Sequence, residues 1–89
     1  MPAARRIDAR DRRLVAVHQA GHVVIAERIG VPRGDAYIRR VPDPEPGGLS
    51  WCGFTPYGCV DAEALRMVAV AGCIAEAVWT RAADSAPRL

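Results

Sequence analysis

Residues 14–29 read Leu14-Val15-Ala16-Val17-His18-Gln19-Ala20-Gly21-His22-Val23-Val24-Ile25-Ala26-Glu27-Arg28-Ile29. Leu14, His18, Gly21, His22, Ile25 and Ile29 recur at three- and four-residue steps, which is the repeat of one face of an α-helix. Both histidines of the chain lie on that face, so their imidazoles leave the same side of the helix one turn apart. Gly30 and Pro32 then stop the helix. Asp8 or Asp11 is placed to cap its start. Residues 1–10 are short and Arg-rich and read as a flexible N-terminus.

Working outward, residues 35–41 (Asp-Ala-Tyr-Ile-Arg-Arg-Val) and 49–55 (Leu-Ser-Trp-Cys-Gly-Phe-Thr) have the composition of strands. Between them Pro42-Asp43-Pro44-Glu45-Pro46-Gly47-Gly48 cannot continue a strand, so the pair is expected to form a hairpin. Pro56 to Cys59 is a second turn. Asp61 would cap a second helix running to about Arg81, with Leu65, Val68, Ala69, Gly72, Ala75, Glu76 and Trp79 along one stripe. The expected fold is α+β: helix, β-hairpin, helix around a single small core, spanning residues 11–81, with 82–89 a C-terminal tail. Gly21 and Gly72 are where the two helices would meet.

The bulk composition narrows the function. A chain of 89 residues makes one small domain, and 51% hydrophobic content is too high for a disordered tail. Its basic residues are all Arg, 12 of them, and the net charge is only +2. So mild a balance argues against nucleic-acid binding, and with no Lys there is no P-loop. The odd cysteine count (Cys52, Cys59 and Cys73, with no Cys-x-x-Cys) argues against a disulfide scaffold and for a reducing cytoplasm. No apolar run is long enough to span a membrane, and no signal peptide is expected. So small a core makes homo-oligomerisation an expectation too.

The chemistry is concentrated in His18-Gln19-Ala20-Gly21-His22. Two imidazoles one helical turn apart can share a tetrahedral zinc ion. In zinc peptidases the residue after the first His is Glu, which takes a proton from the water on the metal. Here that general-base position holds Gln19, a neutral amide that can hydrogen-bond to water but cannot accept its proton. Zinc affinity and hydrolysis are thereby separated, and the lost base is worth about 10²–10⁴ in rate. Glu76 on the apolar stripe could be a third metal ligand, an acceptor orienting a ligating His, or a glutamate at the edge of the stripe. Cys52 and Cys59 flank a turn at a spacing longer than zinc ribbons use, a weak signal for metal, and read as small buried or semi-buried thiols.

The ordered set of segments resembles the peptidase domain of the FtsH family, the AAA+ zinc metalloproteases, and the small stand-alone proteins related to it. Ala16-Val17-His18-Gln19-Ala20-Gly21-His22-Val23-Val24-Ile25-Ala26 is similar to that family's active-site helix. Gly30-Val31-Pro32, Ala36-Tyr37-Ile38-Arg39-Arg40-Val41-Pro42 and Gly48-Leu49-Ser50-Trp51-Cys52-Gly53-Phe54-Thr55-Pro56 follow in the family's order. Val68-Ala69-Val70-Ala71-Gly72-Cys73-Ile74-Ala75-Glu76 is similar to its next helix. The resemblance implies a zinc metallopeptidase acting on protein or peptide, impaired here by Gln19, or an inactive zinc-binding relative that binds peptide or protein. It also implies a third ligand, an Asp downstream of the Ala-Glu helix. Asp84 is the nearest analogue by position, although it follows Glu76 sooner than the family pattern requires, so Glu76 is expected to rank ahead of it. The ATPase module that feeds the family's peptidase has no counterpart in these residues.

Overall fold

The computed structural model describes residues 2–42, 48–58 and 61–85. Its elements are α1 (Pro2–Ile29), β1 (Tyr37–Arg40), β2 (Trp51–Phe54) and α2 (Ala62–Ser85). This is the expected α+β arrangement of helix, hairpin and helix. The strands lie inside the expected ones, antiparallel, with Tyr37 opposite Phe54, Ile38 opposite Gly53, Arg39 opposite Cys52 and Arg40 opposite Trp51. Pairing continues past both ends of this ladder, from Val41 N to the Ser50 carbonyl (2.8 Å) and in a bridge between Arg33 and Tyr57. Among the described residues, no helix is long and apolar enough to cross a membrane.

Helix α1 begins at Pro2, about nine residues earlier than the expected start near Asp11. Ala3, Ala4, Arg5, Arg6, Ala9 and Arg10 are good helix formers, and Pro is at home in a first turn. Asp8 and Asp11 are therefore inside the helix and cap nothing. Instead they reach the hairpin: Ser50 N donates to Asp11 Oδ2 (3.0 Å), Trp51 Nε1 to Asp8 Oδ1 (3.3 Å), and Arg40 pairs with Asp8 at 3.0 Å.

The far end of α1 is closed by Gly30, whose φ of +77° suits a residue without a Cβ. Val31 N then bonds back to the Ala26 carbonyl at 2.8 Å, five residues earlier. That fold-back drives Val31 onto Ala26 and Val68, the centre of the core, with Ile25, Tyr57 and Ala64 packed around it.

Helix α2 starts as expected. Asp61 caps it through Oδ1 to Ala64 N at 2.8 Å. It continues to Ser85, past the expected end near Arg81, through the helix formers Ala82 and Ala83. Its inward face is rotated slightly from the expected stripe: Ala64, Val68, Ala71 and Gly72 turn inward, whereas Leu65 and Ala69 are exposed. Gly21 lets the helices touch, since a Cβ there would lie 2.5 Å from the Ala71 carbonyl oxygen and 2.8 Å from Ala75 Cβ.

Candidate metal centre

The two histidines of α1 face α2. His22 is buried, and its Nδ1–H donates to the Val68 carbonyl at 2.6 Å. A carbonyl only accepts, so Nδ1 carries a proton, and in the neutral tautomer that fits this bond the lone pair is on Nε2. His18 is half-buried, and its Nδ1 lies 2.9 Å from Glu76 Oε2. With Glu76 ionised, the imidazole donates here also and its Nε2 becomes the free acceptor. The two rings meet edge to face at 4.5 Å between centroids.

Gly72 makes room for both rings. A Cβ at this position would lie 2.6 Å from His18 Nε2 and 2.7 Å from His22 Cε1. The ring of Tyr57 stands edge-on to His22 at 6.1 Å, and burial pushes its phenol pKa up, so it stays a neutral O–H at neutral pH.

Gln19 is one residue from His18 but belongs to another neighbourhood. Its Oε1 accepts from the buried Thr55 hydroxyl at 2.6 Å. Its stem lies against Gly53, where a Cβ would fall 2.6 Å from Gln19 Cγ. The amide also lines a groove of about 390 Å³ between α1 and β1, with Ala16, Ala20, Val23, Tyr37 and Ile38.

The structure thus brings His18, His22 and Glu76 together and holds Gln19 beside them on the hairpin side. Asp84 is exposed and lies two helical turns beyond Glu76. It shares an open groove with Glu76, Leu14 and Arg81 and does not join the potential metal-ligand cluster. Gly53 and its partner Ile38 face α1, so Cys52 alternates onto the outer face of the hairpin, away from the histidines. Cys59 lies outside the described residues.

Three participants were not expected from the sequence. Cys73 joins His18 and Glu76 in a group whose potential ligand atoms all lie within 4.8 Å of one another. Its position next to Gly72 and three residues before Glu76 was a usable signal. Thr55 and the Val68 carbonyl carried none, because both contacts are long-range and one is made by backbone. Comparisons of this chain with protein-family models, with curated proteins and with solved structures returned no match.

Proposed function

We propose that this chain is a zinc-binding domain of metallopeptidase type, acting on protein or peptide, in which the hydrolytic step is impaired by Gln19. The observation that supports this most directly is the state of the imidazoles. Both Nδ1 atoms are committed to acceptors on α2, one a carboxylate and one a backbone carbonyl. Histidines that ligate metals are oriented in this way, with the second nitrogen held and the first left free. The donor set fits zinc, which favours imidazole nitrogen and takes carboxylate or thiolate in addition.

His18 and His22 would hold the metal through Nε2. Glu76 would fix the plane and tautomer of His18, and the Val68 carbonyl those of His22. Bound zinc would supply a Lewis acid that lowers the pKa of water to about 7. Gln19 can orient a water through its amide but cannot take a proton from it. Thr55 holds that amide in place, and its hydroxyl could donate equally well to a carboxylate.

The same groove supports the second reading, an inactive domain that binds an extended peptide. Strand β1 pairs on one side only, and Gln19, Tyr37 and Ile38 line the groove beside it. A free strand edge next to an apolar groove suits β-strand addition. Self-association is part of this proposal. Val24, Met67, Val70 and Ile74 are among the chain's exposed apolar residues. A reducing cytoplasm would keep its thiols free.

The test has two arms. Protein purified without added metal is assayed for zinc, with about one ion per chain expected for a single site of this type. The double variant His18→Ala/His22→Ala should have none. Casein cleavage is then compared between the chain and Gln19→Glu, which should gain about 10²–10⁴ in rate. Equal activity in both would remove Gln19 from the explanation. Zinc without activity in either would select the binding-module reading.

A further inference from the structure

We infer that Cys73 is a ligand of the same metal, contributing a thiolate from α2 to the ion held by His18. The inference rests on the zinc-binding reading above and identifies a donor that reading leaves open. A ring nitrogen of His18, Cys73 Sγ and a Glu76 oxygen all lie within 4.8 Å of one another. Ligands around one tetrahedral zinc are about 3.5 Å apart, given bond lengths near 2.0–2.3 Å.

The setting of Cys73 supports a ligand more than a packing role. Free cysteine is among the residues most often fully buried, but Cys73 is exposed. Its backbone neighbour Gly72 is the point at which both imidazoles reach α2. Cys73 is therefore carried to the edge of the histidine pair by the same close approach that makes room for the rings. Glu76 is already occupied with His18 Nδ1, at 2.9 Å. Leaving that bond intact keeps Glu76 as an orienting residue and makes Cys73 the third donor. His22 lies outside that 4.8 Å group, so the observed juxtaposition is that of Cys73 with His18 and Glu76. On binding, the thiol would lose its proton to solvent as the sulfur–metal bond forms.

Cobalt(II) is titrated into the full chain and into Cys73→Ser and Cys52→Ser, followed by near-ultraviolet absorption, with zinc competition to give affinities. The expected result is a thiolate-to-cobalt charge-transfer band in the parent chain and in Cys52→Ser. Cys73→Ser should lack the band and bind zinc at least about tenfold more weakly, the low end of what losing even an orienting partner costs. Zinc should also protect Cys73, but not Cys52, from alkylation, read by peptide mass spectrometry. Because Cys73 is exposed, its replacement should leave the helical circular dichroism unchanged. Metal binding with no charge-transfer band, and equal affinity in Cys73→Ser, would overturn Cys73 as a ligand while leaving the histidine site standing. No metal in the parent chain would overturn the zinc reading, and this inference with it.

Discussion

Helix α1 presents two different surfaces at adjacent residues. On the α2 side, His18 and His22 fit against Gly72, and Gly21 fits against the Ala71 carbonyl, so ring and backbone meet with nothing soft between them. On the hairpin side, Gln19 lies over Gly53 and is held by the single hydroxyl of Thr55. Both contacts depend on a missing Cβ, but what the Cβ would strike differs. On one side it is helix backbone or a packed imidazole, and on the other a flexible side chain. The histidine side of α1 is therefore the stiff side, and the Gln19 side is the adaptable one. On that contrast, a substitution at position 19 is expected to leave the packing of His18 and His22 against α2 unchanged.

The contrast is most directly broken at Gly21. Gly21→Ala puts its Cβ 2.5 Å from the Ala71 oxygen, so the helices must separate. A net loss of about 2 kcal/mol is expected: overpacking at the upper end, about 3 kcal/mol, less the nearly 1 kcal/mol that Ala brings to a helix interior. Urea denaturation measures it, and a neutral result would mean that the helices are not in contact there. Gly72→Ala should cost about 1–3 kcal/mol and also displace both rings, lowering zinc affinity at least about tenfold by isothermal titration. Retained affinity would show that the rings do not depend on Gly72.

Gly53→Ala sharpens the comparison from the other side. The atoms nearest its Cβ would be Gln19 Cγ, Nε2 and Cδ, which can swing away, and a strand position gains when Gly is replaced. The net change in stability should stay within about 1 kcal/mol, with zinc affinity equal to that of the parent chain. If Gly53→Ala weakens zinc as much as Gly72→Ala does, the two sides of α1 are coupled and the separation argued above fails.

Much of this was legible in the sequence because it rests on local pattern. The helical repeat through His18 and His22, the pairing of the two strands, Asp61 ahead of α2, and small residues at 21 and 72 all read correctly, whereas residues 43–47 of the Pro-rich loop lie outside the described residues. What was not legible depended on partners distant along the chain. Asp8 and Asp11 look like caps to a local reading, but their carboxylates are taken by Trp51, Arg40 and Ser50. Leu65 reads as core by hydrophobicity, whereas the tight approach at Gly21 and Gly72 gives the inward places to Ala64 and Ala71. The pairing of Gln19 with Thr55 joins residues 36 apart and leaves no trace in spacing.

The aspartates of α1 have a consequence for the angular phase of that helix. Successive residues on an α-helix are about 100° apart around the axis. A twist of α1 that carried Gln19 toward α2 would carry His18 away from Gly72, so both sets of contacts are made at only one phase. Asp11 precedes His18 by about two turns and Asp8 precedes Gln19 by about three, so each shares nearly the azimuth of the residue it precedes. Clamped to Ser50 and Trp51, they act as a key in a shaft, about 10–17 Å along the axis from His18 and Gln19. The fold-back at Gly30 fixes the other end. Held at both ends, α1 cannot turn, and the alignment of histidines to α2 and glutamine to the hairpin is set by residues that touch neither.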